Sequence, residues 1–196
     1  MCIRDRRQAW HDCTAPQVRG GLAGLAERQR LGTAVQTSRR SPGAALAIHA
    51  TLAGWVQSAI DQLPAHVRIF GDFMYNARQS LEIQDLAENL MFVQVFSGAG
   101  RISPAKRDKT CAVIKGVMVR YRYMHQGGYQ ANPDPLANAE AFRAWLLSQY
   151  GVAIDSRNWA REWNALIDST FAACESLDKQ ALNSLAIHLN KMNKIA

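Results

Sequence analysis

The segment from Lys106 to Arg122 concentrates basic side chains in an otherwise mixed sequence. Lysine and arginine release condensed counterions from a nucleic-acid backbone, which supplies affinity without sequence preference. Aromatic rings such as those of Tyr121 and Tyr123 lie among these charges and can stack on unpaired bases. The segment therefore predicts phosphate contact. The basic residues that we expect to make it are Lys106, Lys109, Lys115, Arg120 and Arg122.

These charges separate into two rows if the segment is an α-helix, which turns about 100° per residue. Lys115 and Arg122 lie on one row, and Lys109 and Arg120 lie on another, roughly 140° round the helix. An apolar stripe runs between the rows. The charges therefore flank a packed stripe and do not fill one exposed face.

An alternative for the basic helix is neutralisation inside the protein. Long basic side chains often cover apolar neighbours and meet acidic groups of another element. The preceding helix offers Glu82, Asp85 and Glu88 as partners. A structure that places Lys109 and Lys115 against these carboxylates would favour this alternative over phosphate contact.

A second candidate for DNA contact has the outline of a helix-turn-helix around the turn at 151–155. In such a unit the second helix enters the major groove, with its N-terminal side chains at the base edges. Arg157 and Arg161 would then contact DNA, and arginine is suited to guanine. The second helix also carries Trp159 and Trp163, so two core-packed helices joined by a short glycine turn are the alternative.

Catalytic and metal-binding motifs are not found in the sequence. There is no P-loop and no dinucleotide-binding glycine pattern, and His66 and Asp72 lack a nucleophile in a known signature. The four cysteines form no CxxC pair, and the histidines do not fall at zinc-finger spacings from them. We therefore expect a protein that is not an enzyme and has no cofactor, metal or small-molecule ligand.

The net charge of +7 is unevenly distributed along the chain. Residues 1–45 carry eight arginines against three acidic residues, and residues 101–122 carry seven basic residues against one acidic residue. The remainder is mildly acidic. This distribution argues against a general polyanion-binding surface and in favour of a local patch or an internal ion pair.

The first 45 residues differ in composition from the rest of the chain. They are rich in Arg, Gly, Ala, Gln and Ser and show no sustained apolar period, which predicts a low-order basic tail. Residues 1–6 also resemble translated sequencing-adapter sequence, which is often found at the ends of proteins from metagenomic assemblies. If they are adapter sequence, part of the tail is not biological, so we give the tail little functional weight.

The rest of the chain shows apolar residues at helical spacing and no period-2 run. Ser103-Pro104 is placed to begin the basic helix, and the segment 83–96 is apolar nearly all round, which predicts a central, buried helix. Asp178 is predicted to cap the last helix. We predict an all-α protein in which residues 46–196 form a single domain, an irregular bundle of about six helices.

Several residues and short runs of the helical part are distinctive in type and order, namely Trp55, Leu63-Pro64, Phe70-Gly71, Met74-Tyr75, the run 120–128, Trp159, Trp163, Cys174 and Leu177-Asp178. Through them the chain resembles small proteins from phages and prophages of Gram-negative bacteria, some of which are labelled late-gene antitermination proteins. The resemblance extends over about residues 55–192. It implies a regulator that binds a promoter-proximal DNA site and bacterial RNA polymerase and makes the polymerase ignore terminators. Some antiterminators carry a two-CxxC zinc finger that this chain lacks, so any DNA contact would come from the helices alone.

Two functions therefore remain open. The first is a nucleic-acid-associated, phage-type transcription regulator in the cytoplasm of a bacterial host, since no stretch reaches the roughly 20 apolar residues that span a bilayer. The second is a non-enzymatic helical module that contacts only other proteins, with its basic helix neutralised internally.

Overall fold

A computed structural model describes residues 3–14, 42–78, 80–96, 102–126, 136 and 138–192. Within these ranges the only regular secondary structure is helical, and the prediction of an all-α bundle is confirmed. None of the helices described combines the length and apolar character needed to cross a membrane. The helices are α1 (Ile3–Thr14), α2 (Pro42–Asp61), α3 (Ala65–Tyr75), α4 (Leu81–Phe96), α5 (Pro104–Gln126), α6 (Ala139–Tyr150) and α7 (Trp159–Met192).

Local side-chain contacts explain where α5 and α6 begin and where α6 ends. The Ser103 hydroxyl accepts a hydrogen bond from the Lys106 backbone N–H (3.4 Å), and the Asn138 side chain accepts one from the Ala141 N–H (2.7 Å). These side chains satisfy N–H groups that have no partner within the first turn of a helix. Gly151 ends α6 at φ 65°, a left-handed conformation that glycine adopts without steric cost.

The long helix α7 is the spine of the bundle, with 34 residues and a length of about 50 Å. It packs against α1, α2, α3, α4 and α5. Asp178, which the sequence predicted as the cap of a separate last helix, lies inside α7 and is buried (4% exposed). The prediction was wrong because Asp178 bonds to side chains distant in sequence, which no local pattern reveals.

Two apolar clusters form the core. The larger cluster joins α1, α2, α3, α4, α5 and α7, and the smaller one joins α5, α6 and α7. In the smaller cluster the Phe142 ring of α6 packs directly on Gly116 of α5, where a Cβ would lie 2.6 Å from the ring. Because residue 116 has no side chain, the Phe142 ring can lie directly on the α5 backbone, and this close approach fixes α6 against the basic helix.

Helix α1 lies within the segment that the sequence predicted as a low-order tail. Its Trp10 is fully buried, the indole N–H donates to Asp72 Oδ1 (3.2 Å), and the ring fills the space above Gly71. Burying a side chain of this size contributes roughly 1.5–3 kcal/mol, which accounts for the docking of α1. Residues 3–14 of the segment predicted as a tail thus form a helix packed on the core, residues 42–45 begin α2, and residues 1–2 and 15–41 lie outside the described ranges.

Helix α4 was predicted to be central and buried on all sides, but its observed position is peripheral. Its fully buried residues are Ala87, Glu88 and Met91, all on one side. Leu86 and Val93 are 48% and 63% exposed. One side of α4 therefore packs on the core, and the opposite side, which includes Leu86 and Val93, faces solvent.

Candidate nucleic-acid interface

Contacts between α5 and α7 show that the two helices run in the same direction. Gly116 of α5 meets Phe142, whose ring lies 5.7 Å from that of Trp159 at the start of α7. Further along, the Tyr121 ring lies 6.2 Å from that of Phe171. The beginnings of α5 and α7 therefore lie towards the same end of the bundle.

We call this end of the molecule the basic end. Its cationic side chains are exposed to solvent and stand in or next to the first turns of the two helices. Unpaired backbone N–H groups and the helix dipole make such first turns favourable for anions. The basic end consists of Lys106, Arg107, Lys109, Arg157 and Arg161.

Acidic residues also stand at the basic end and reduce its net charge. Asp108 and Glu162 are exposed there, and Asp155 directs its carboxylate to the Arg157 backbone N–H (2.9 Å). The guanidinium of Arg161 donates to the Asn158 side chain (3.1 Å). The surface is therefore a modest local patch and lacks the charge density of a general polyanion-binding face.

The structure adds two arginines to this region. Arg143 of α6 lies over the Trp159 ring at 5.6 Å, and Arg107 lies over the Phe92 ring at 5.5 Å. Arg107 could have been found from the sequence, since it lies within the basic segment. Arg143 could not, because only the packing of α6 on α7 brings it over Trp159 at the start of α7.

Lys115 does not join the basic end. Its Nζ forms an ion pair with Glu88 of α4 (2.6 Å) and lies 5.5 Å from the Tyr150 ring centre. Burial acts to lower the pKa of Lys115, but the hydrogen bond and charge of Glu88 outweigh it and raise that pKa. The internal neutralisation that the sequence left open is therefore found for Lys115, whereas Lys109 is exposed.

The two arginines near the end of α5 also lie away from the basic end. Arg122 is half-buried over the Phe73 ring (5.4 Å), and its Nε has no hydrogen-bond partner within the described part of the chain. Burial lowers the pKa of Arg122. Arg120 lies over the Phe171 ring at 5.7 Å. Four of the seven predicted residues are thus exposed towards the beginnings of α5 and α7, whereas Lys115, Arg120 and Arg122 contact side chains of other helices.

The helix-turn-helix outline corresponds to α6, the turn at Gly151 and the start of α7. Phe142, Leu146 and Trp163 from these two helices are buried in the cluster that packs on α5. These two helices are therefore part of the core, as the alternative of two core-packed helices joined by a short glycine turn predicted. Arg157, just before the second helix, and Arg161, in its first turn, are exposed.

A buried carboxylate at the opposite end of α5 was not recognised from the sequence. Asp178 accepts hydrogen bonds from the hydroxyls of Tyr75 and Tyr121 and forms an ion pair with Arg7 (2.8 Å). Desolvation and the negative charge of Asp178 raise the pKa of both tyrosines. Desolvation likewise raises the pKa of the nearby Cys174 thiol to about 12. No nucleophile is activated here, and the network holds helices together.

A groove of about 580 Å³ opens beside this network, between α1, the end of α5 and α7. The ring of His125 lies in its wall, 4.2 Å from the Tyr121 ring. Burial and the neighbouring Arg7 lower the pKa of His125. Both carboxylate oxygens of Asp178 already have partners, so the groove offers mainly apolar surface.

Metal ligation has no site in the part of the chain that the structure describes, where no three His, Cys, Asp or Glu side chains come together in a suitable group. Comparisons of the chain with protein-family models, with curated proteins and with solved structures return no match.

Proposed function

We propose that this chain is a nucleic-acid-associated transcription regulator that contacts phosphates through the basic end. The observation that carries the proposal is the common direction of α5 and α7, which brings the exposed Lys106, Lys109, Arg157 and Arg161 to one end of the bundle. The first turn of each of these two helices is itself favourable for a phosphate, because of its unpaired N–H groups and helix dipole.

The regulator is proposed to be of the phage antitermination type, acting on bacterial RNA polymerase in the cytoplasm of its host. This part of the proposal is supported by the sequence resemblance described above. A small basic patch suits such a protein, because a factor held by both DNA and polymerase needs only modest affinity for each. A terminator read-through assay with purified polymerase would test this step separately from DNA binding.

Direct binding is tested by titrating the full chain against short duplex and single-stranded DNA, with fluorescence anisotropy at several salt concentrations. We expect affinity to fall steeply with salt, since each phosphate contact contributes a slope of roughly one. Replacing both Lys106 and Lys109 with Ala should lower that slope by up to about two. Replacing both Arg157 and Arg161 with Ala should do the same.

The matched control removes two exposed lysines from the second half of α7, Lys179 and Lys191. Because all variants keep residues 1–45, the eight arginines of that segment contribute equally to every measurement. Equal losses in the control and test variants would show binding by total charge and contradict the basic end. An absence of binding at low salt would contradict the proposal altogether.

The second candidate function is the helical interaction module without nucleic-acid binding. The Lys115–Glu88 ion pair favours it, because one predicted phosphate ligand is already neutralised within the chain. The exposed apolar side of α4 favours it as well. Read-through activity that survives substitution of Lys106, Lys109, Arg157 and Arg161 together would select this candidate over the first.

A further inference from the structure

The exposed side of α4 carries a regular stripe. Its residues follow one another at alternating spacings of four and three, which is the repeat of a coiled-coil seam. Two apolar members of the stripe are substantially exposed, Leu86 at 48% and Val93 at 63%. The stripe lies opposite the buried side of the helix and consists of Glu82, Leu86, Asn89 and Val93, while Phe96, next in the same spacing, is partly buried against the core.

We propose that a second copy of this chain covers the stripe, with the two α4 helices antiparallel about a two-fold axis near Asn89. The proposal concerns a protein surface and does not depend on nucleic-acid binding. A two-fold axis requires a surface that is complementary to itself. The charges beside the stripe and the polar residue at its centre both meet that requirement.

The charges lie on the flank of the stripe that faces α5. Asp85 and Phe92 stand seven residues apart on this flank, and the guanidinium of Arg107 lies 5.5 Å from the Phe92 ring centre. In an antiparallel pair this flank faces the same flank of the other copy. Asp85 of each copy then comes opposite Phe92 and Arg107 of the other, which makes two equivalent contacts between opposite charges. In a parallel pair, Asp85 of one copy would instead lie at the same height along the helix as Asp85 of the other copy.

The polar centre of the stripe also selects a second copy as the occupant. An apolar partner helix would bury Asn89 without hydrogen bonds, which costs about 1–3 kcal/mol. Two asparagine side chains that meet at the axis can satisfy each other, because each has both a donor and an acceptor. Leu86 and Val93 lie on either side of Asn89 and supply apolar contact.

The experiment measures the mass of the full chain by sedimentation equilibrium over a range of concentrations. We expect a dimer of about twice 21.8 kDa. Val93→Asp should raise the dimer Kd roughly 100-fold or more, since it places two carboxylates in a desolvated seam. Leu147→Asp is the matched control, because Leu147 has a comparable exposure of 54% on α6. Circular dichroism of both variants checks that the helices remain folded.

The antiparallel arrangement has its own tests. Asp85→Arg and Arg107→Asp should each raise the dimer Kd about 10-fold, and the double variant should restore it, because the opposite charges are exchanged across the axis. Asn89→Cys should form a disulfide-linked dimer under mild oxidation. The parent chain, oxidised in parallel, controls for its native cysteines.

Three results would overturn the proposal. The chain could remain monomeric at all concentrations, or its dimer could be unaffected by Val93→Asp. A dimer in which Asn89→Cys does not cross-link and the charge exchange does not restore affinity would place the interface elsewhere or make it parallel. Cross-linking together with restoration establishes the pairing.

Discussion

The carboxylate of Asp178 connects α7 to three other helices through Tyr75, Tyr121 and Arg7. A charge as deeply buried as this one is stable only when it is paired and hydrogen-bonded. Arg7 supplies the charge, and the two hydroxyls supply the hydrogen bonds. Each partner is far from Asp178 in sequence, so neither residue type nor spacing could have revealed the network.

Asp178→Asn should therefore destabilise the fold by about 2–4 kcal/mol. Breaking a buried ion pair costs about 3–5 kcal/mol, and the cost is lower here because Arg7 is 22% exposed. Urea unfolding followed by circular dichroism measures the change. Asp168→Asn, at an exposed position on α7, is the control and should change stability by less than about 0.5 kcal/mol. Equal effects for the two variants would contradict the role of Asp178.

The stability of the protein should fall as the pH drops below about 6.5, because His125 has a lowered pKa in the folded state. Burial and the charge of Arg7 disfavour its protonation, while Asp178 and Glu175 oppose this only partly. The unfolded chain takes up the proton first, so the loss begins near its ordinary pKa and ends at the lowered one.

Thermal unfolding at several pH values tests this dependence. His125→Gln should reduce the loss between pH 7 and 5, whereas His66→Gln, at an exposed position on α3, should leave it unchanged. An unaltered profile for His125→Gln would assign the dependence to other groups.

At the scale of elements, the contact of α6 with α5 depends on the absence of a side chain at residue 116. Gly116→Ala would gain helix propensity of about 1 kcal/mol but would force a methyl group into the buried Phe142 ring. Overpacking costs about 1–3 kcal/mol. We expect a net loss of stability, and Phe142→Leu in the same chain should recover part of it.

Gly54 of α2 is the matched control for this change. A Cβ at Gly54 meets nothing within 4 Å, so Gly54→Ala should stabilise the protein by about 0.5–1 kcal/mol. Chemical denaturation should thus separate the two glycine variants by about 1–3 kcal/mol. A stabilising Gly116→Ala would show that the two helices are less closely packed than described.

The helices could be predicted from sequence where their signals are local. Ser103 and Pro104 begin α5 as expected, and Gly151 ends α6. The break predicted at Asp178 was wrong because aspartate favours helix starts, and its long-range partners outweigh that preference. The apolar character of α4 was read correctly from its residues, but periodicity cannot say whether its own chain or another one covers it.

At the scale of the whole molecule, the arrangement of charges could not be read from the sequence. The basic segment predicted one site, but the structure divides it, with Lys109 exposed and Lys115 held by Glu88. Arg157 and Arg161 lie towards the same end of the bundle as Lys109 only because α5 and α7 run in the same direction. Contacts between helices decide such groupings, and a single sequence does not contain them.

The pairing of Arg7 with Asp178 spans 171 positions of the chain. In a growing polypeptide, α1 is therefore synthesised long before its partner exists. At ribosomal rates of about 5–20 residues per second, the delay is roughly 10–30 s. During that time Arg7 cannot bind the Asp178 carboxylate, and the surfaces of α1 and α5 that α7 will cover are exposed. The contacts of α1, α3 and α5 with Asp178 can therefore form only after α7 has emerged from the ribosome. Until then the nascent chain exposes unfolded surface of the kind that chaperones bind.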